Sequence, residues 1–351
     1  MTEATQKCWN HESNTNRFLE AMKVGAYDFT EICDHDDFMF TLRDPSQKCD
    51  INLVIGCSGR PTLVRATVKY LKKTIAQSSL SVRLVISEMG DFPLMEKLAK
   101  EESLSYIFTP FEVSDTEYKH SEGLAHNISY LLAPKTSWYC FHCSDTIVPE
   151  NWLQRIEPYL TDETTFLQPF SQKRLKYCNE SYTRELCADP EGMQIEGVGN
   201  ALASNILPNR EKLFLPEAPA GAPGGSIFIR REDFERVGGY DPEIFWGWAP
   251  EDTMMWIKQE YLHNGENFNI DNINYWAPGY CHLGRATYAS EDVLLFHLHH
   301  PPSPRSKHML SMKEVCDSFF PLAYSDKLEY FSAKQKLLKE DRAKLQHVRQ
   351  A

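Results

Sequence analysis

The sequence predicts an α/β protein whose central sheet is mostly parallel and carries helices on both faces. Three observations lead there. Short apolar runs of strand length recur between about residues 50 and 145, helical patterns separate them, and the connections are short. The runs are apolar throughout rather than alternating, as strands covered on both faces must be.

Each element follows in order. Residues 1–48 are polar and poorly periodic, and are expected to form an N-terminal extension. INLVIG (51–56) is the first buried strand. Pro61 suits the first turn of a helix, with Val64, Val68, Leu71 and Ile75 on one face. VRLVIS (82–87) is the second strand, followed by a helical stretch around Leu94, Met95 and Leu98. YIFTPF (106–111) reads as the third strand, Leu124, Ile128 and Leu131 mark a helix, and SWYCFH (137–142) is the fourth strand. Residues 171–222 are irregular and end in a Pro/Ala/Gly-rich stretch. Regularity returns with GSIFIR (225–230), a short helix around Phe234, and a late strand VLLFHLHH (293–300) before Pro301. The expected main domain is therefore 49–310, with a charged helical tail over 311–351 that is either a solvated face or a partner-docking element.

Bulk properties narrow the function. The 351 residues carry a formal net charge of −12, which excludes a general nucleic-acid binder, since neutralising phosphates needs a basic surface. Neither a GxxxxGK[ST] loop nor a GxGxxG turn occurs, against a P-loop NTPase or a dinucleotide oxidoreductase. The sequence holds no long apolar run and no charged-then-apolar leader. A cytoplasmic location is expected, with peripheral membrane contact left open and a Golgi location only if an anchoring segment has been removed. The ten cysteines are then reduced. Cys140 and Cys143 form a CxxC that ends a strand-like run and has no second pair, so they are read as buried, unreactive thiols.

In such sheets ligands bind beyond the carboxyl ends of the strands, which draws attention to residues 56–60, 88–91 and 143–145. Asp145 alone would be a turn residue. At the mouth of the sheet it can instead hold a divalent cation that grips a diphosphate. His297, His299 and His300 end the last strand, and alternation places His297 and His299 on one face. A carboxylate with imidazoles suits Mn2+ better than magnesium or calcium. In FWGWAPED (245–252), Trp246 and Trp248 flank a glycine, and Glu251 and Asp252 fall at the positive end of a helix opened by Pro250. Packing alone accounts for that pattern. So does chemistry: indole faces take the C–H side of a sugar, carboxylates take its hydroxyls, and an ionised Asp252 serves as a general base.

At this point a family comes into view. GGSIFIRREDFERVGGYDPEIFWGWAPED (224–252) resembles the carboxy-terminal motif of β-1,4-galactosyltransferases and related chondroitin-polymerase-type enzymes, and the likeness runs from about residue 50 to 303. The resemblance implies a GT-A fold and a metal-dependent, inverting transfer from a UDP-sugar to a hydroxyl of a glycan or glycoconjugate acceptor. It implies that the loop from Gly56 to Arg60, with Ser58 and Arg60, receives the uridine diphosphate and that Glu88 lies against uracil. Ala222, Gly224 and Gly225 would line the donor sugar, and Trp248 would contact donor and acceptor. Trp246 and Glu251 would face the acceptor, with 171–222 as an acceptor-side insertion. Asp252 would be the catalytic base with Glu251 beside it, and Asp145 with His297 would bind the metal, His299 being the alternative.

The departures are specific. Cys143 replaces the first acid of the family's DxD, Ala249-Pro250 replaces two glycines, and Thr253 interrupts the acids. Ala222 stands where galactosyltransferases carry a bulky aromatic, so a GalNAc donor is favoured, then galactose. The competing readings are a nucleotidyltransferase on a related sheet and a non-catalytic sugar-binding protein.

Overall fold

The computed structural model describes residues 32–110, 121–164, 166–169, 175–188, 226–242, 251–265, 287–288, 293, 295–301 and 324–345. Its axis is strand β2, Ile51–Cys57, buried along its whole length. This strand pairs in parallel with β3 (Val82–Gly90) on one side and with β5 (Trp138–Cys143) on the other. β3 pairs in parallel with β4 (Ser105–Pro110). Helices α1 (Pro61–Gln77), α2 (Glu96–Glu101) and α3 (Glu122–Leu132) lie between these strands in the chain, giving the alternation the sequence predicts.

The strand order β4-β3-β2-β5 has a functional consequence. The chain moves outward from β2 to β4, then returns to the other side of β2 with β5. The order reverses between β2 and β5, and such a reversal opens a crevice at the strands' carboxyl ends.

The core explains why these strands are apolar throughout. Ile51, Leu53 and Ile55 point to one face and pack with Val64, Val68 and Leu71 of α1. Val54 and its neighbours Val85 and Ile107 point to the other, against Leu124, Ile128 and Leu131 of α3. Each fully buried aliphatic of this kind contributes roughly 1.5–3 kcal/mol.

The rest of the sheet is mixed. β1 (Met39–Thr41) comes from within the expected N-terminal extension and pairs antiparallel with β4, covering that edge. Beyond β5 lie β9 (Ser226–Arg230) and β7 (Phe166–Gln168), each antiparallel to its predecessor, then β10 (Thr287–Tyr288) parallel to β7. A second sheet has β11 (Leu295–His297) between β6 (Thr146–Ile147) and β8 (Leu175–Tyr177). Of the strand expected over 293–300, the structure forms Leu295–His297, and Leu298 next to it donates its N–H to the Asp145 carbonyl at 2.7 Å. Two further helices, α4 (Trp152–Ile156) and α5 (Glu180–Ala188), flank α1.

The tail departs from expectation. Helix α8 (Tyr324–Lys344) packs on α3 and on α6 (Arg231–Arg236), burying Tyr330, Phe331 and Leu338. Lys258 of α7 (Glu251–Asn264) is fully buried and donates to both Asp241 carboxylate oxygens, at 3.1 and 2.9 Å, and to the Gly239 carbonyl at 2.6 Å. Tyr330 of α8 donates to the same carboxylate. A Cβ on Gly238, whose φ is +75°, would lie 2.1 Å from the Cβ of Lys334, so the glycine admits the helix. The charged pattern hid this docking because Lys and Arg bury their stems: Lys327 lies over Tyr261 and Arg342 over Tyr130. Among the described residues no helix is long and apolar enough to cross a membrane.

Candidate active site

The reversal point is where the ionisable groups gather. β2 ends into Ser58-Gly59-Arg60, and β5 ends into Ser144-Asp145. The Arg60 guanidinium reaches across to the Asp145 carboxylate at 2.9 Å. Gly59 and Arg60 both adopt left-handed backbone (φ +67° and 57°), uncommon for an arginine, and turn the chain sharply into Pro61 at the start of α1. A helix amino terminus beside an arginine favours an anion such as a phosphate. Thr67 of α1 donates to the Ser144 carbonyl at 2.9 Å and ties the two loops together.

Asp145 is also the centre of a group fit for a cation. β11 runs antiparallel to β6, opposing His297 to Thr146, so the short second sheet carries the imidazole to the carboxylate. His297 Nε2 lies 3.6 Å from one Asp145 oxygen and His300 Nε2 3.1 Å from the other. The ligand atoms of Asp145, His297 and His300 all fall within 4.8 Å of one another. One carboxylate with two imidazoles suits a first-row ion such as manganese better than magnesium or calcium. Burial would raise the Asp145 carboxyl, yet His297, His300 and Arg60 outweigh it and hold it well below the usual carboxylate range. Burial lowers His297, whereas the hydrogen bond to Asp145 raises His300. The Tyr177 ring, 4.8 Å from that of His297, supports the imidazole from β8.

A second, opposite environment lies beside the first. Asp252 sits in the first turn of α7, half-buried, with Glu251 buried next to it. Its carboxyl is pushed up to about 7 by burial, then by the charge of Glu122, with His126 acting the other way. Glu122 opens α3 and is likewise raised, by burial first and by Asp145 second. One of its carboxylate oxygens is 3.5 Å from His126 Nε2 and accepts the Cys143 S–H at 3.6 Å. Burial holds His126 neutral, down at about 4. Gly56 makes this convergence possible: a Cβ there would stand 2.9 Å from His126 Cε1 and 3.3 Å from Glu122 Cγ.

The expected residues fare unequally. Asp145, His297 and Arg60 come together. His300, rather than His299, completes the cluster: the strand ends at His297, and the His299 N–H is drawn aside to the Thr183 hydroxyl at 2.8 Å. Ser58 is half-buried beside Gly90 at the crevice. Glu88 is not brought into the crevice; its carboxylate turns inward and accepts from Leu94 N, Met95 N and the Tyr106 hydroxyl at 3.0, 2.9 and 2.6 Å. It holds the loop after β3 instead of offering itself to a ligand. Ala222, Gly224, Gly225, Trp246 and Trp248 lie outside the described residues. Cys140 is buried as expected, its thiol pushed up to about 12 by burial, while Cys143 is half-buried at the site. Glu122 and His126 are absent from the sequence expectation. Their signal, an acid and a histidine one turn apart at a helix start, does not separate them from ordinary helix residues.

Comparison with known proteins bears on the same block. Residues 211–269 match the family model described as the N-terminal domain of galactosyltransferase. That span holds β9, α6 and the acids of α7, and it agrees with the resemblance read from residues 224–252. The segment similar to galactosyltransferases thus carries the acids that open α7, on an α/β sheet whose crevice gathers Arg60, Asp145, His297 and His300. No curated protein matches the chain in sequence. Similar solved structures include a Drosophila β-1,4-galactosyltransferase 7 mutant with manganese, UDP-Gal and xylobiose, at 10% identity over 71% of each chain and a TM-score of 0.39. A glucosyl-3-phosphoglycerate synthase from Mycobacterium tuberculosis with Mn2+, UDP and phosphoglyceric acid is 12% identical over 72% of each chain, TM-score 0.41. A mannosyltransferase from Pyrobaculum calidifontis with GDP-Man and Mn2+ is 11% identical over 94% of this chain and 86% of its own, TM-score 0.41.

Proposed function

We propose that this chain is a manganese-dependent, inverting glycosyltransferase of the GT-A type that moves a hexose or N-acetylhexosamine from a UDP-sugar to a hydroxyl of a glycan or glycoconjugate. One observation carries the reading: Asp145, with His297, His300 and Arg60 gathered on it at the strand ends, shares a crevice with the acids that open α7. Paired acids with diverging environments are how one site divides charge stabilisation from proton transfer.

Asp145, His297 and His300 would hold the ion, which when bound neutralises charge on a departing diphosphate. Arg60 and the start of α1 would take the phosphates. Asp252 accepts the proton of the acceptor hydroxyl as that oxygen attacks the anomeric carbon from the opposite side. Glu251, with Trp246 and Trp248 of the adjoining segment, would seat the acceptor, and Trp248 with Gly224 and Gly225 the donor. A cytoplasmic location belongs to the same proposal.

The donor is proposed to be UDP-GalNAc, used at least as well as UDP-galactose, because an alanine at 222, in place of the bulky aromatic of the galactosyltransferases this chain resembles, would leave room for an N-acetyl group. Filling such a space biases choice by roughly 10- to 200-fold. The test is release of UDP from a panel of UDP-sugars with and without manganese, on wild type and on Ala222→Tyr. Full turnover in excess chelator contradicts the metal-dependent reading. A preference for galactose in both proteins contradicts the donor assignment.

A further inference from the structure

An acid that neither the metal group nor the base uses stands at the carboxyl ends of β2 and β5. Glu122 Cγ would be 3.3 Å from a Cβ on Gly56, its carboxylate accepts the Cys143 thiol at 3.6 Å, and its helix packs on α7. Its side chain keeps 22% of its surface exposed, so it is neither sealed in the core nor free in solvent. Helix capping does not explain it, since the Ser121 hydroxyl already accepts from Leu124 N at 3.3 Å. Charge pairing does not explain it either, because its close imidazole neighbour, His126, is held neutral.

The surroundings fix where it points. Asn127, one turn on, donates to the Tyr240 carbonyl at 3.1 Å and accepts from Tyr240 N–H at 2.9 Å. A Cβ on Gly123 would lie 3.0 Å from Tyr240 Cβ. The start of α3 is thereby clamped to the segment leading toward α7, and Gly56 lets it come down over the end of β2. The Cys143 thiol donates to one Glu122 oxygen and leaves further acceptor capacity on the carboxylate. A sugar joined to a diphosphate at Asp145 and attacked by an oxygen activated at Asp252 must lie between the two, in front of Glu122.

We propose that Glu122 is a sugar-positioning residue, its carboxylate accepting a hydrogen bond from a hydroxyl of the donor hexose and supplying the acidic contact that Cys143 does not. The inference rests on the glycosyltransferase reading. It assigns Glu122 to the sugar and not to the diphosphate.

The experiment is calorimetric binding of UDP and of UDP-galactose and UDP-N-acetylgalactosamine, with manganese present, to wild type, Glu122→Gln and Glu122→Ala. Thermal unfolding of each variant checks the fold, and the near-isosteric Glu122→Gln stands if the alanine variant does not fold. Both variants should weaken UDP-sugar binding by roughly 10-fold or more, the size of a hydrogen bond to a charged group, and leave UDP binding within about 2-fold. An unchanged ratio of UDP-sugar to UDP affinity in a folded variant overturns the inference. Equal losses of both ligands also overturn it, by placing Glu122 on the diphosphate. A wild type that binds neither ligand refutes the glycosyltransferase reading itself.

Discussion

Asp145 and Asp252 are the same residue in neighbouring parts of one crevice, and their surroundings drive them in opposite directions. Both are removed from water, which raises a carboxyl. Around Asp145 the strand ends bring Arg60, His297 and His300, and attraction overrides burial. Around Asp252 another acid, Glu122, adds repulsion to burial. The difference teaches that role here is set by what the backbone delivers to each carboxylate. The sheet reversal delivers cationic groups to one, and α3 delivers an acid to the other.

The largest expected effect comes from breaking the Asp145 side. Asp145→Ala or His297→Ala should abolish manganese-dependent turnover in a protein that still unfolds cooperatively, if at a lower temperature for Asp145→Ala, read by UDP release and thermal melting. His300→Ala should share that phenotype and His299→Ala should not; a lethal His299→Ala with an active His300→Ala would reverse the ligand assignment.

Breaking the other side should be nearly as severe. Asp252→Asn removes a base and should lower turnover by roughly 10²-fold or more, with UDP affinity kept. Near-normal turnover would return Asp252 to a helix-end acid.

The comparison also has a pH signature in the metal-free protein. Glu122 is raised in the folded state above its unfolded value, so the stability tied to it is present at low pH and lost as pH rises through about 7. Asp145 has the opposite sign: its stability is present above the unfolded carboxylate range and lost on acidification. Glu122→Gln should therefore gain stability over wild type as pH rises from about 5 to 8, by roughly 1–3 kcal/mol. Equal differences in denaturant midpoint at both pH values would contradict this. The same variant, by removing a negative charge near Asp252, should move the acidic limb of the pH–rate profile to lower pH.

Much of the parallel half of the sheet was legible in the sequence, because unbroken apolar strands such as Ile51–Cys57 report burial on both faces directly. Asp145 and Arg60 were legible for a related reason: they directly follow such strands. The histidine pair was half legible. Alternation holds only inside a strand, and β11 stops at His297, so it pointed to His299, whereas His300 is the imidazole that stands beside Asp145. Glu122 was not legible, since its importance comes from Gly56 permitting a close approach and from Asn127 gripping Tyr240, contacts far apart in sequence. The tail misled for the same reason, its buried face being built from tyrosine, phenylalanine and the stems of lysines.

The most direct test separates the two carboxylates by binding alone. Manganese, titrated with UDP into wild type, Asp145→Ala and Asp252→Asn and followed by the loss of free-ion paramagnetic signal, should bind wild type and Asp252→Asn alike and fail to bind Asp145→Ala. Undiminished manganese binding by Asp145→Ala, or its loss in Asp252→Asn, would contradict the division of labour proposed for this crevice.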